Sequence, residues 1–365
     1  MLSRSMLVSG MLILGLLTAC GEDAAKPSTV ETTPAQNYQW KLVTTWPKNF
    51  PGLGTAPENF ARIVKEMSDG RISIRVHGAN EIVPPFEIFD AVSQGVAEMG
   101  HGAAYYWKGK VPAAQFFTAV PFGLTAQEMN AWLHYGGGQE LWDELYAGYN
   151  LKPFAGGSTG VQMAGWFNKE INEIEDLKGL KMRIPGLGGE VWKRVGGVPV
   201  QLAGGELFTA LENGTIDATE WVGPYNDKAF GFQKIAKYYY YPGWQEPGAM
   251  LEFTINKEVW EGLPPDLQAI IKYAARAVNQ DMLDEYTARN NQALQALLAE
   301  GVIVRPLPDS VMAALRKASS EAVAELAASD PAAERVYQSF KDFENGVVAY
   351  HKISEQAYMD ARQQP

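Results

Sequence analysis

The sequence predicts an α/β fold with two lobes and a helical C-terminal region. A unit of alternating strands and helices occurs twice. The copies are similar at "FDAVSQGVAEMG" (89–100) and "FTALENGTIDAT" (208–219), each of which ends a helix at a glycine and begins a strand. Such alternation implies parallel βαβ units whose helices cover the sheet. From Pro264 onward the segments have apolar residues at helical spacing, with one short strand, "VIVRPLP", between them.

The first 37 residues are predicted to be an export signal and a tether. Arg4 precedes a short apolar run, "MLVSGMLILGLL", and small residues, so residues 1–19 have the pattern of a signal peptide. The stretch "LTAC" resembles a bacterial lipobox, in which Cys20 is lipidated; the alternative is a plain signal peptide in which Cys20 is incidental. Residues 20–37 are small and polar, as in a flexible tether. We therefore expect an exported protein that a lipid anchors to the membrane.

Composition narrows the classes of partner. The 365 residues include 31 basic and 42 acidic side chains, a formal net charge of −11. Because a nucleic-acid-binding surface requires a basic face, this balance disfavours a nucleic-acid partner. Cys20 is the only cysteine, which excludes an internal disulfide and a cysteine metal cluster. The net charge does not exclude binding of a small anion, since one buried arginine binds an anion even inside an acidic protein.

The repeat divides the chain into lobes. Residues 38–155 are predicted to form lobe I, which segments after about residue 255 complete, and residues 156–254 to form lobe II. Each copy of the repeat begins with a strand and a Gly/Pro loop before its first helix, "KLVTTWPKNFPGLGTAP" in lobe I and "GLKMRIPGLGG" in lobe II. Residues 255–365 are predicted to be lobe-crossing and C-terminal helices, the first with a proline at its start.

Arg183 is unusual because it stands in a short apolar strand, at its carboxyl end. In open α/β sheets, ligands bind outside the carboxyl ends of the strands. A guanidinium matches a carboxylate in two parallel hydrogen bonds, and burying it without a partner is costly. Either a protein carboxylate or an anionic ligand is therefore expected beside Arg183.

Glu220 and Trp221 follow the corresponding strand of the same lobe, in "DATEWVGPYND". Glu220 has two roles open to it: it pairs with Arg183, or it binds a hard cation together with carbonyl and amide oxygens. Tyr105 and Tyr106 occupy the equivalent place in lobe I and are typical of a pocket wall. A further predicted strand, "AGGSTGVQMAGWFNKE", contributes Gln162 and Asn168.

These stretches together resemble the solute-binding receptors of tripartite ATP-independent periplasmic (TRAP) transporters. The resemblance runs from about Tyr38 to the last helix and includes "TTWPKNFPGLG", "GAAYYWKGK", "DLKGLKMRIPGLGGEVWKRVGGVPVQL", "ENGTIDATEWVGPYND" and "YYYYPGWQEPG". It is greatest to the branch that binds 2-oxo and 2-hydroxy monocarboxylates such as pyruvate, other 2-oxo acids or lactate. It implies a type II-like periplasmic-binding-protein fold and a receptor rather than an enzyme.

The resemblance also implies roles for individual residues. Arg183 would clamp the solute carboxylate. A sodium or calcium ion would bridge protein and solute, with the Gln162 amide, the Glu220 carboxylate and the Trp221 backbone carbonyl as its ligands. The pocket wall would be formed by Trp46, Tyr105, Tyr106, Asn168 and Gln245.

The family implies partners as well. A small and a large membrane subunit would form the permease to which the receptor delivers its solute, and the lobes would close around that solute by a hinge motion. The resemblance allows a homodimer through the C-terminal helix. We expect a periplasmic protein held at the membrane only by the lipid on Cys20.

Two other functions stay open. A receptor for a C4-dicarboxylate would need a second cationic group, which Lys108, Lys110 or Arg194 could supply. A carboxylate-processing enzyme would use Arg183 as anion clamp and Glu220 as base, but no second acid–base group stands at an obvious strand end.

Overall fold

The computed structural model describes residues 36–363, in which the strands form two sheets. The predicted signal peptide and Cys20 lie outside the described residues, as does nearly all of the tether. Within the described range one sheet has five strands and the other has six. We call the first sheet with its helices lobe I and the second lobe II.

The bounds of the elements are as follows. The strands are β1 (Tyr38–Thr44), β2 (Ile72–His77), β3 (Met99–Gly102), β4 (Leu151–Ser158), β5 (Gly165–Phe167), β6 (Lys181–Arg183), β7 (Val198–Val200), β8 (Ala218–Thr219), β9 (Tyr238–Tyr241), β10 (Met250–Asn256) and β11 (Ile303–Pro306). The helices are α1 (Thr55–Met67), α2 (Ile88–Ser93), α3 (Ala126–Tyr135), α4 (Gly138–Ala147), α5 (Gly186–Arg194), α6 (Leu207–Glu212), α7 (Pro224–Phe230), α8 (Lys257–Glu261), α9 (Pro265–Ala299), α10 (Asp309–Ala327), α11 (Pro331–His351) and α12 (Glu355–Gln363).

The predicted repeat is present in both lobes. In lobe I, β1 lies between β2 and β3 and pairs with both in parallel. In lobe II, β6 lies between β7 and β8 with the same parallel pairing. The helices follow the sequence pattern: α1, for example, buries Phe60 and Val64 on one face and exposes Lys65 and Glu66 on the other. In each lobe the carboxyl ends of these three parallel strands therefore lie at the same edge of the sheet.

The chain passes twice between the sheets before α8, and the two crossing segments pair with each other. Residues 159–164 lead from β4 to β5, and residues 242–249 lead from β9 to β10. Thr159 donates its N–H to the Ala249 carbonyl (3.1 Å), and Gln162 donates its own to the Glu246 carbonyl (3.2 Å). These bonds hold both crossing segments side by side at the base of the cleft.

The C-terminal region is helical, as predicted. Helix α9 packs against β4 and α1 of lobe I and against α7 of lobe II. The Asp330 side chain accepts hydrogen bonds from the first backbone N–H groups of α11, which fixes where that helix begins. A search of the described helices for one with the length and apolar character of a membrane span finds none.

Candidate functional site

Arg183 lies at the carboxyl end of β6, at the edge that the sequence indicated. It pairs in register with Thr219 of β8, so Glu220 comes to lie beside it. Helix α5 begins a few residues later at Gly186, whose φ of 59° favours glycine. A Cβ at Gly186 would also lie 3.0 Å from the Tyr105 side chain of lobe I. The two lobes therefore approach closely at the Arg183 end of β6.

Most N–H groups of the Arg183 guanidinium are engaged within the protein. Nε donates to the Leu202 carbonyl (3.3 Å), and Nη2 donates to the Tyr106 hydroxyl (3.2 Å). Nη1 donates to both the side chain and the carbonyl of Glu220. Since a guanidinium has five N–H groups, these four bonds leave one Nη2 hydrogen free. The two-pronged clamp that the sequence predicted is not open in this geometry, because Glu220 occupies Nη1.

Glu220 thus forms an ion pair with Arg183, which is the first of the two roles considered for it. Both side chains are buried, with 0% and 1% of their surface exposed. Burial raises the pKa of the Glu220 carboxyl, an effect that the Arg183 charge opposes and Asp227 reinforces. The other carboxylate oxygen, Oε2, is buried without a partner among the described residues. One oxygen of Glu220 therefore neutralises Arg183, and the other is left for a ligand.

A small cavity lies beside this pair, between the lobes. Its volume is about 10 Å³, the space of about one water molecule. A solute enters only if the surrounding side chains move apart. The cavity is lined by Trp46, Leu53, Tyr105, Tyr106, Thr159, Gln162, Arg183, Trp221, Val222, Glu246, Ala249 and Leu251. Half of these were predicted as site residues from the sequence, namely Trp46, Tyr105, Tyr106, Gln162, Arg183 and Trp221.

Several oxygen acceptors at this site have no hydrogen-bond donor within residues 36–363. The amide oxygen of Gln162 and Oε2 of Glu220 are buried without a partner, and the Trp221 carbonyl receives no backbone hydrogen bond. Amide, carboxylate and carbonyl oxygens are the ligands that hard cations prefer. No group of three or more His, Cys, Asp or Glu side chains in this range is arranged for a metal, so a cation here needs amide and carbonyl ligands. The three residues fit a cation site, and their role as its ligands stays a prediction.

Glu246 is a cavity residue that the sequence analysis missed. Its carboxylate accepts a hydrogen bond from the Gln162 amide (2.9 Å). Burial and the nearby Glu220 raise the pKa of Glu246 well above its usual range. The sequence analysis chose Gln245 instead, but the Gln245 amide donates to the Met163 carbonyl (2.9 Å) and does not line the cavity. The sequence feature that could have indicated Glu246 is its position as the one acid in the Gly/Pro-rich, aromatic stretch "PGWQEPG".

Asn168 does not reach the site, contrary to the prediction. The resemblance implied a place for Asn168 in the pocket wall, but β5, which it follows, runs antiparallel to β8 and β9. The carboxyl end of β5 therefore lies at the edge of the sheet opposite Arg183. Asn168 is exposed there, and its N–H donates to the Asp217 carbonyl (3.1 Å). Gln162 precedes β5, which places it on the cavity side.

An aromatic wall from both lobes closes the cavity. The Trp46 ring of lobe I lies 6.0 Å from the Trp221 ring of lobe II and 6.1 Å from the Tyr106 ring, centroid to centroid. The Trp46 indole N–H donates to His101 Nδ1 (3.0 Å). Burial lowers the pKa of His101 to about 4, so this histidine is neutral at pH 7. Buried aromatic walls of this kind lower the local polarity and so strengthen the electrostatic interactions of Arg183.

The other candidate cations are engaged elsewhere. Lys108 pairs with Glu190 (2.9 Å), Lys110 pairs with Asp90, and Arg194 pairs with Glu325. Within the described part of the chain, Arg183 is the only cationic side chain that lines the cavity. A C4-dicarboxylate would bring a second carboxylate with no cationic partner there, so the geometry disfavours that alternative.

The fold, two α/β lobes with a buried arginine at the cavity between them, is that of a periplasmic solute-binding protein. Residues 42–330 match the DctP family, described as bacterial extracellular solute-binding protein, family 7. The chain belongs to this family, and the prediction of a TRAP solute receptor is confirmed.

Three relatives are similar over most of their length. A monocarboxylate 2-oxoacid-binding periplasmic protein of Nostoc sp. is 46% identical over 88% of both chains. A TRAP periplasmic solute-binding protein from Pseudoalteromonas atlantica, with bound sodium and pyruvate, is 49% identical, with a TM-score of 0.86 over 89% of this chain and 99% of that one. Its counterpart from Colwellia psychrerythraea, with bound calcium and pyruvate, is 47% identical, with a TM-score of 0.87 over 89% of this chain and all of that one.

Proposed function

We propose that this chain binds a small 2-oxo or 2-hydroxy monocarboxylate, such as pyruvate, another 2-oxo acid or lactate, and presents it to a TRAP permease. The observation that carries the proposal is that a buried arginine with a free N–H and unpartnered oxygen acceptors meet at one small cavity between the lobes. A carboxylate would satisfy the arginine, and a cation would satisfy the oxygens. The solutes of the relatives described above support the same class.

Each residue has a role that follows from its chemistry. Arg183 and the Tyr106 hydroxyl would donate hydrogen bonds to the solute carboxylate. Gln162, Glu220 and the Trp221 carbonyl would hold a sodium or calcium ion, which supplies positive charge to a carboxylate oxygen and the adjacent 2-oxo or 2-hydroxy oxygen. A plain fatty acid lacks that second oxygen and would leave the cation one ligand short. Trp46 and Tyr105 would form the wall.

We propose that the two lobes, which the sequence analysis divided at residues 38–155 and 156–254 although strands β4 and β10 of the lobe I sheet cross those bounds, close around the solute. A buried contact between the lobes supports this. The Asn226 amide of α7 donates to the Pro51 carbonyl of lobe I (2.8 Å) and accepts from the Tyr286 hydroxyl of α9 (2.7 Å). Opening the cleft would break these bonds, and closure would remake them, as in hinge-type receptors.

The proposal includes the membrane partners of the protein and its location outside the cytoplasm. The family acts outside the cytoplasm. Residues 1–19 would direct export, and Cys20 would carry the lipid anchor; both lie outside the described residues. The permease subunits would receive the solute. Ile353 and Tyr358, near and on α12, are exposed apolar side chains, which suits a homodimer through the C-terminal helix.

A thermal-shift panel tests this function. Pyruvate, lactate, a longer 2-oxo acid, a plain fatty acid and succinate are compared with and without chelator. We expect the 2-oxygenated monocarboxylates to stabilise the protein and the chelator to weaken that effect. Stabilisation by succinate alone would contradict the proposal. Because Glu246 adds a second acid to the cavity, the recovered solute is also analysed, and its conversion to product would favour the enzyme alternative.

A further inference from the structure

We propose that His101 is a positioning residue of the solute site: it fixes the ring of Trp46 in the cavity wall and thereby sets which 2-oxo acids fit. The inference rests on the proposed function and concerns a side chain that does not itself line the cavity. The connection is the hydrogen bond from the Trp46 indole N–H to His101 Nδ1 (3.0 Å). This bond joins a side chain of the cavity wall to one in the core of lobe I.

The hydrogen bonds of His101 assign the tautomer of its ring. An indole N–H donates and does not accept, so Nδ1 of His101 is the accepting nitrogen. Nε2 then carries the proton and donates it to the Gly156 carbonyl (2.9 Å). The ring is neutral at pH 7 because burial lowers the pKa of His101 to about 4. Both ring nitrogens are therefore engaged, as a completely buried imidazole requires.

His101 is held in the middle of the lobe I sheet. It lies on β3, in register with Thr44 of β1 on one side and with Phe253 of β10 on the other. Its ring packs against the Phe253 ring, with 4.6 Å between the centroids. Side chains on packed strands are placed more accurately than side chains on loops. Trp46, which follows β1 in a loop, therefore takes its orientation from a rigid neighbour.

The two tryptophans that meet at the cavity differ in this restraint. The rings of Trp46 in lobe I and Trp221 in lobe II lie 6.0 Å apart. The Trp221 indole N–H is buried without a hydrogen-bond partner among residues 36–363, whereas that of Trp46 is bonded to His101. Trp46 is thus the tryptophan whose ring a directional bond fixes. Without that bond the Trp46 ring is free to turn and to admit a bulkier solute side chain.

Two substitutions separate the two hydrogen bonds of His101. The amide oxygen of an asparagine can take the place of Nδ1, and the amide nitrogen of a glutamine can take the place of Nε2. His101→Asn should therefore keep the bond to Trp46 and lose the bond to Gly156, and His101→Gln should do the reverse. Since each variant loses one buried hydrogen bond, both should be destabilised to a similar extent in urea denaturation.

The measurement is the ratio of the dissociation constants for pyruvate and for a longer straight-chain acid, 2-oxohexanoate, by calorimetry. Since one methylene group in a fitted pocket is worth about 10- to 200-fold, the wild type should bind pyruvate at least about 10-fold more tightly than 2-oxohexanoate. His101→Asn should retain this preference, and His101→Gln should lose most of it. Trp46→Phe, which removes the indole N–H, should lose it as well, and adding His101→Gln to Trp46→Phe should change the ratio no further.

A second measurement does not depend on a variant folding. The ¹⁵N chemical shifts of His101 in the wild-type protein should identify Nε2 as the protonated ring nitrogen and Nδ1 as the unprotonated one. A proton on Nδ1 would overturn the inference, because that nitrogen could not then accept from Trp46.

The binding results separate the inference from the proposed function. Equal ratios in the wild type, His101→Asn and His101→Gln would overturn the inference and leave the proposed function standing. So would a wild type that does not prefer pyruvate, or an equal loss of preference in both His101 variants, which is what a merely structural role would give. Failure of the wild type to bind any 2-oxo acid would overturn the proposed function and the inference together.

Discussion

Replacing Arg183 by methionine tests the buried ion pair between Arg183 and Glu220. Of the interactions at the site, this is the one whose loss should lower the free energy of unfolding most. The guanidinium is the counter-ion of a carboxylate that is completely buried. Removing one partner of a buried ion pair costs about 3–5 kcal/mol of unfolding free energy, because the other charge is left uncompensated. The change also removes the hydrogen bonds to Leu202 and Tyr106. We therefore expect Arg183→Met to destabilise the protein by about 3–5 kcal/mol in urea denaturation.

The same variant should lose solute binding. Truncating one partner of a buried charged contact weakens affinity by about 2–5 kcal/mol, or roughly 30-fold or more. Combining Arg183→Met with Glu220→Gln removes both charges, so the double variant should recover about 1–3 kcal/mol of stability relative to the sum of the single changes. It should not recover binding, because the anion clamp is still missing.

The matched control is Arg194→Met. Arg194 is on α5 in the same lobe and pairs with Glu325, whose side chain is 75% exposed. Surface pairs of this kind contribute about 0–1 kcal/mol. Calorimetry with pyruvate and urea denaturation are run on all variants. The reasoning is refuted if Arg183→Met is no less stable than Arg194→Met, or if it binds pyruvate with unchanged affinity.

Three further predictions concern other residues. Glu220→Gln should weaken pyruvate binding in calorimetry by about 10- to 100-fold, as substitutions at metal sites commonly do; normal affinity would rule out Glu220 as a cation ligand. Asn226→Ala should lower the unfolding free energy by about 1–3 kcal/mol and weaken binding, because it removes two buried hydrogen bonds and leaves only the longer contact of the Tyr286 hydroxyl with the Pro51 carbonyl (3.4 Å); an unchanged urea midpoint and affinity would argue against its role in closure. Burial raises the pKa of Glu252 to about 7, so its contribution to stability is full below its unfolded-state pKa and is lost as pH rises through about 7. The stability advantage of the wild type over Glu252→Gln should therefore shrink by about 2–3 kcal/mol between pH 5 and pH 8, and a pH-independent difference in urea denaturation would contradict the shift.

The fold and the position of Arg183 could be predicted because the signals are local. A short apolar strand followed by glycines places Arg183 at a carboxyl end, and a second such strand places Glu220 after it. Parallel neighbours then bring the two residues together, as the register of Arg183 with Thr219 confirms.

The direction of a strand within its sheet and the geometry of a loop could not be predicted from the sequence. The resemblance placed Asn168 on the pocket wall, and nothing in the sequence shows that β5, which it follows, runs antiparallel to its neighbours. Glu246 was missed because it lies on a crossing segment with no periodicity, where nothing in the sequence says which of residues 245 and 246 faces inward. Whether Arg183 already has a protein partner depends on distances between side chains that the sequence does not contain.

The most direct test of the central claim is a crystal structure of this protein grown with pyruvate and calcium. One cavity should hold both, with the pyruvate carboxylate within hydrogen-bond distance of Arg183 Nη2 and a cation in contact with the Gln162 amide oxygen. If pyruvate saturates the protein in solution but the crystal places it outside this cavity, with the Arg183–Glu220 pair and its surroundings unchanged, the account of the site is wrong.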